Sequence, residues 1–200
     1  MSMGGEGVMK IVISTHCDTV WKDPYLKIVD GMVIGACDNF ASILAVGHVI
    51  QTPDIIIELT EDEEMSMEGA RVVSERNSPE DTLIIVQDVT EKRKGRNKKL
   101  NFTIENVNNV QLKHIRKALK GFKYKVVSDG TESEAWLYKK AGFSCLEIDV
   151  PVTGGTHSLG SRAKVVDIIA VSDALKALIE YFKDKSIEEI GDIKDDQRDQ

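Results

Sequence analysis

Two histidines and a set of carboxylates are spread along this 200-residue sequence: His16 and Asp18, Asp38, the run Glu61-Asp62-Glu63-Glu64, Asp88 and His157. Imidazole nitrogen and carboxylate oxygen are the ligands that zinc and other divalent ions accept. A two-metal hydrolytic site needs a carboxylate that can offer one oxygen to each of two ions about 3.5–4 Å apart. It also needs a carboxylate left unligated, to take a proton from water. Adjacent Glu63 and Glu64 point in different directions, so one can ligate while the other faces that water. The His16-x-Asp18 spacing lets Asp18 orient the ring of His16.

The elements that must position these groups can be read from hydrophobic pattern. Val8 to Ser14 is a β-branched run ending at Thr15-His16-Cys17-Asp18, and reads as a buried strand. Asp30-Gly31 between Leu26–Val29 and Met32–Ile34 signals a type I′ hairpin. Asp38 to Gln51 has apolar residues at helical spacing, with Asp38 and Asn39 as cap candidates and Pro53 as the stop. The pattern then predicts strands at Asp54–Leu59, Thr82–Val86, Tyr124–Val127 and Cys145–Val150. Helices are predicted at Ser66–Glu75, Leu112–Leu119, Glu132–Ala141 and Val165–Phe182. Strand-helix alternation of this kind argues for an α/β sheet. In such sheets ligands bind outside the carboxyl ends of the strands, where His16, Asp38, Glu61–Glu64, Asp88 and His157 all fall.

Each group alone has an ordinary reading. Asp38 could cap a helix, Glu63 and Glu64 could be first-turn acids favoured by the helix dipole, and Asp88 could be a turn residue. Together, at matching strand ends, they predict a metal site. His48 and His114 fall inside predicted helices and read as structural, and Trp21 and Trp136 as packing residues.

Composition excludes several classes. Hydrophobic residues make up 42% of the chain, enough for a globular core, and the length suits one domain. Lys+Arg 26 against Asp+Glu 33 gives a net charge of −7, which lacks the basic excess that nucleic-acid binding needs. The basic run from Glu91 to Lys99 reads as a solvated loop. No apolar run reaches the roughly 18 residues that cross a bilayer, and no leader pattern opens the chain. Three cysteines make no disulfide framework. The expectation is a soluble cytoplasmic protein with no nucleic-acid or membrane partner, its domain spanning residues 1–185. The charged, aromatic-free segment 186–200 reads as a disordered tail.

The ordered motifs resemble the two-zinc exopeptidases of peptidase clan MH. His16-Cys17-Asp18-Thr19-Val20 is similar to the His-x-Asp segment of that group, Gly35-Ala36-Cys37-Asp38-Asn39 to its bridging-aspartate segment, and Glu63-Glu64-Met65-Ser66-Met67-Glu68-Gly69-Ala70 to its Glu-Glu segment. Ile85-Val86-Gln87-Asp88-Val89-Thr90 and His157-Ser158 complete the order. Asp129-Gly130-Thr131-Glu132-Ser133-Glu134-Ala135 brings the pattern nearest to the tetrahedral, glutamyl-type aminopeptidases, with Glu132 standing where the related motif has Asp. The resemblance implies a three-layer α/β/α domain around a central mixed, mostly parallel sheet, and two divalent metal ions. Zinc comes first by ligand type, with cobalt or manganese as alternatives. It implies that His16 and Asp88 hold one ion, Glu64 and His157 the other, and that Asp38 bridges them. Glu63 would be the general base and Asp18 the partner of His16. The implied substrate is a peptide or amino-acid amide, and a homo-oligomer is a candidate assembly. The short stretch from His16 to Asp38 leaves no room for the domain that relatives insert there for dimerisation or as a lid.

Rival readings are a metal-dependent deacylase acting on N-acyl amino acids and a non-catalytic domain of the same fold. A cysteine or serine hydrolase is disfavoured: His16-Cys17 and His157-Ser158 are sequence neighbours whose side chains point apart. Thr156-His157-Ser158-Leu159-Gly160 also has Thr where a nucleophile elbow needs Gly.

Overall fold

The computed structural model describes residues 9–91, 100–127 and 133–190. In chain order the strands are β1 (Lys10–His16), β2 (Leu26–Val29), β3 (Met32–Gly35), β4 (Ile55–Thr60), β5 (Thr82–Thr90), β6 (Phe102–Glu105), β7 (Tyr124–Val126), β8 (Ser144–Thr153) and β9 (Arg162–Lys164). The helices are α1 (Cys37–Val46), α2 (Glu68–Arg76), α3 (Asn109–Ala118), α4 (Glu134–Lys140), α5 (Val165–Phe182) and α6 (Ile187–Ile190).

All nine strands form one mixed sheet, with the path β2-β3-β9-β8-β5-β1-β4 and β6 and β7 branching from β8. The long central pairings, β4 to β1, β1 to β5 and β5 to β8, are parallel, while the hairpin side through β3, β9 and the end of β8 is antiparallel. Helices cover both faces, so β1 is buried on both sides and reads as an unbroken apolar run. Ile11 and Ile13 face the larger core with α1 and α5; Val12, one residue out of phase, faces the smaller core with Ala70 of α2 and Ala135 and Tyr138 of α4. This is the expected α/β architecture in three layers.

Asp30 and Gly31 have φ of 50° and 72°, the positive pair a type I′ turn requires, so the hairpin forms as its sequence predicts. Between β1 and α1 the chain makes only a loop and this hairpin. α5 matches the predicted span. α1 stops at Val46, capped by Gly47, and His48 lies beyond it, exposed. Trp136 is not a packing residue; 53% of its surface is exposed on α4.

The segment after residue 185 also departs from expectation. Ile187 and Ile190 of α6 are buried in the larger core, because the apolar pair at i, i+3 gives one short turn an inward face. Residues 191–200, Glu132 and the basic run 92–99 lie outside the described residues. Among the described residues no helix is long and apolar enough to cross a membrane.

Candidate metal centre

His16 ends β1, a parallel strand between β4 and β5, and is 2% exposed. Asp88 lies near the carboxyl end of the neighbouring β5. The loop after β4 carries Glu63 and Glu64, and its turn is built on Asp62, whose carbonyl accepts the N–H groups of Ser66 and Met67 at 2.9 and 2.6 Å. Asp62 and Met67 both adopt positive φ, 66° and 57°. Asp18 joins the two loops: its Oδ1 and Oδ2 accept the backbone N–H groups of Glu63 and Glu64, each at 3.3 Å.

Asp38 is set by a different device. Neither Asp38 nor Asn39 caps α1, whose first turn has no side-chain cap and departs from helical φ/ψ at both residues; the peptide between them is cis. Asn39 is fully buried and donates through Nδ2 to Thr15 Oγ1 at 3.0 Å and to the Gln87 carbonyl at 3.1 Å. Those residues immediately precede His16 and Asp88, so Asn39 fastens the start of α1 between the two strand ends that carry candidate ligands. His157 sits on the loop between β8 and β9. The loop enters through Gly154 and Gly155 at φ 93° and 94°, and the Gly155 N–H donates to Glu91 Oε1 at 2.9 Å.

The seven expected residues converge on one site. His16 Nε2 lies 3.2 Å from Asp38 Oδ1 and 3.5 Å from Asp88 Oδ1, while its Nδ1 faces Asp18 Oδ1 at 3.3 Å. His157 Nε2 lies 3.0 Å from Glu64 Oε2 and 3.5 Å from Asp38 Oδ2. Ligand atoms of His16, Asp38 and Glu64 all fall within 4.8 Å of one another. Asp38 thus turns one oxygen to each histidine, with Asp88 beside the first and Glu64 beside the second.

The electrostatics of this arrangement call for a cation. Burial works against an imidazolium at His16, but Asp18, Asp38 and Asp88 together outweigh it and hold the ring proton far above the usual histidine range. Asp38 Oδ1 and Glu64 Oε1 are buried and accept no hydrogen bond among the described residues. Buried carboxylate oxygens in that condition are costly unless paired or bound to a metal. The donor set of two imidazoles and three carboxylates therefore fits a pair of divalent ions.

Glu63 differs from the ligands. Burial pushes its carboxyl up to about 8, with His16 opposing and the charges of Asp88, Glu64 and Glu134 adding to the rise. Burial and the Asp38 charge also raise Glu64, against the pull of His157 and His16. Burial works against ionised Asp18 too, but His16 and the two loop N–H groups hold its carboxyl below the ordinary value.

Sequence reasoning gave no role to Glu134. It is 2% exposed on the inner face of α4, and its Oε2 accepts from Ser14 Oγ at 2.8 Å; Tyr138 OH stands 2.8 Å from the same hydroxyl. The signal was available in the i, i+4 spacing of Glu134 and Tyr138, and in Ser14 lying on the same face of β1 as His16. A second acidic group, Glu105, Glu147 and Asp149, is buried across β6 and β8, where Glu105 pairs with Glu147 in register.

No protein-family model and no curated protein matches the sequence. Solved structures do resemble the fold. The aminopeptidase APDkam598 from the archaeon Desulfurococcus kamchatkensis has a TM-score of 0.63 at 19% identity, over 84% of this chain and 54% of that one. The TET1 peptidase of Pyrococcus horikoshii gives 0.57 at 17% identity, over 78% and 52%. Aminopeptidase PepT from Bacillus cereus gives 0.64 at 12% identity, over 89% and 82%. The chain spans about half the length of the first of these structures. At such identities the likeness is one of fold, and aminopeptidases and an endoglucanase from Thermotoga maritima both share it.

Proposed function

We propose that the protein is a metal-dependent exopeptidase, an aminopeptidase that removes N-terminal residues from peptides or aminoacyl amides, with a dinuclear centre held by His16, Asp88, Asp38, Glu64 and His157. The observation that carries this reading is Asp38 standing between His16 and His157 with one carboxylate oxygen toward each. When bound, two divalent ions, zinc first by ligand type, would lower the pKa of a water molecule and polarise a carbonyl.

The chain supplies the rest. Asp18 fixes the His16 ring by facing Nδ1, which leaves Nε2 for the centre. It also holds the Glu63-Glu64 turn by two backbone hydrogen bonds, with Glu64 against His157 at 3.0 Å and the Glu63 carboxylate assigned to the water. Glu63 is the proton carrier: its carboxylate takes a proton from the attacking water and delivers it to the departing amine. A carboxyl that burial pushes up to about 8 without metal would be drawn down by nearby divalent charge, toward the range where it can both accept and return a proton near neutral pH.

Bound metal counted by elemental analysis, with wild type and Glu63→Gln assayed on aminoacyl amides and N-acyl amino acids, tests the reading. The expected result is about two ions per chain in both proteins and amide cleavage by wild type alone. Cleavage of N-acyl amino acids in preference to aminoacyl amides would make the protein a deacylase. Metal binding without any cleavage would favour a binding domain of this fold. A protein that takes up no zinc, cobalt or manganese has no such centre.

A further inference from the structure

We infer that α3 and the edge strand β7 form a docking face for the phosphate backbone of a nucleic acid, held without reading its bases. The net charge of −7 averages over a segregated distribution. Residues 106–127 carry six Lys and Arg, namely Lys113, Arg116, Lys117, Lys120, Lys123 and Lys125, and not one Asp or Glu. All six are exposed. Lys113, Arg116 and Lys117 lie on α3 and Lys120 in the turn after it, at the i, i+3, i+4, i+7 spacing that lines one side of a helix. Gln111, Ile115 and Leu119 bury the opposite side. The stripe spans about 10 Å, roughly three nucleotides of one strand. β7 continues the row at the margin of the sheet, where it pairs with β6. Tyr124 turns toward the larger core and stacks on Phe102, so Lys123 and Lys125 on either side of it turn away from that core. Burial raises the Tyr124 hydroxyl and the Arg116 charge opposes that rise, which ties α3 to β7 electrostatically.

Ordinary solvation of a helix does not account for this row. On α2 and α5 exposed cations are set against acids one turn away: Arg71 by Glu68, Lys176 by Asp173, and Lys183 at the end of α5 by Glu180. Among the described residues none of the six makes such an ion pair. Glu189 of α6, which packs against α3, is taken by Lys185 at 3.3 Å. Like charges three and four residues apart weaken a helix. The helix dipole favours Arg116 and Lys117 in the last turn, but gives nothing to Lys113 or to the lysines flanking Tyr124. A row of cations without acids is the electrostatic footprint of a polyanion. This row bends round the sheet margin, from the outer side of α3 to the far side of β7. A flexible phosphate backbone can follow that path, whereas a flat bilayer cannot meet both parts.

The test is fluorescence anisotropy of a labelled oligothymidylate, about 20 nucleotides long, titrated with the full chain both zinc-loaded and in chelator. The expected result is binding in both states that weakens at least about tenfold between about 50 and 200 mM salt. Lys113→Gln, Lys117→Gln and Lys120→Gln combined should weaken binding at least about tenfold and flatten its salt dependence. Glutamine keeps helix propensity, and an unchanged circular dichroism spectrum checks the fold. Lys123→Gln with Lys125→Gln, off the helix, gives a second reading and should cost about threefold or more. Lys176→Gln with Lys183→Gln removes two cations from α5 and its end and should change affinity by less than about twofold. The absence of binding at about 50 mM salt overturns the proposal, as does binding that both α3 and β7 variants retain in full. Affinity that needs zinc would place the anion on the metal centre instead. Tighter binding to vesicles containing phosphatidylserine than to the oligonucleotide would make the face a membrane contact, and overturns the proposal equally.

Discussion

His16 and Asp38 meet at 3.2 Å, Nε2 to Oδ1, with that carboxylate oxygen buried beside the ring. With Glu64 also within 4.8 Å, this pair belongs to a group of donors that could hold a metal ion. Because the other oxygen of Asp38 faces His157, one substitution should affect both halves of the centre. Asp38→Asn is expected to reduce bound metal below one ion per chain, whereas His157→Ala should leave about one. Elemental analysis after dialysis against a weak chelator checks this.

Asp18 meets the candidate centre through His16 and through the loop that carries Glu64. Asp18→Ala removes the partner of Nδ1 and leaves two backbone N–H groups without their acceptor. Loss of such a supporting carboxylate costs about 10–100-fold in metal affinity. Competition with a chromophoric chelator should show that loss, and a change below about threefold would mean that the loop is held by other contacts.

Much of this was readable because the candidate ligands follow strands whose pattern is unambiguous. β1 is a β-branched run ending at His16, and Asp30-Gly31 dictates its turn. What could not be read is equally specific. β9 has one buried residue, Ala163, between exposed Arg162 and Lys164, so only its tertiary pairing with β3 and β8 makes it a strand. β6 has the sequence Phe-Thr-Ile-Glu, whose alternation predicts a solvated face, but Thr103 and Glu105 are buried as fully as Phe102 and Ile104. Asn39 looked like a cap; its real partners, Thr15 and the Gln87 carbonyl, are remote in sequence and meet it only in the folded sheet.

The buried acids on β6 and β8 give the molecule a pH signature that is coupled to the candidate centre through Asp88. Burial and the charge of Asp88 push the Glu147 carboxyl up to about 7, against hydrogen bonds from Asn106 Nδ2 at 2.5 Å and Ser133 Oγ at 2.8 Å. A carboxyl raised in the folded state favours folding below its unfolded value near 4.5, and that contribution is lost as pH climbs through about 7. Glu147→Gln keeps an acceptor for both donors and cannot ionise. The variant should melt about 3–6 °C above wild type at pH 8 and within about 1 °C of it at pH 4. Thermal melts across that range decide it; equal melting curves at pH 8 would show that Glu147 is not raised.

Gly69 opens the last and most local test. A Cβ there would stand 2.5 Å from the Glu61 nitrogen and 2.7 Å from its carbonyl oxygen, and 2.9 Å from Thr60 Cβ. Two of those atoms are backbone and cannot rotate away, so Gly69→Ala must move either α2 or the Glu61–Glu64 loop. The N–H of Gly69 also donates to the Glu61 carbonyl at 3.0 Å, and the same displacement strains that bond. Overpacking of this kind costs about 1–3 kcal/mol. Because the loop carries Glu64 and Glu63, the variant should lose metal affinity and turnover together with stability, although its substitution lies outside the ligand set. Urea unfolding of the metal-free protein gives the stability change, and a metal titration of the folded variant gives the displacement of Glu64. A variant with wild-type stability and wild-type metal affinity would mean that the loop relaxes freely around the added methyl group, and that Gly69 is not what holds the two glutamates in place.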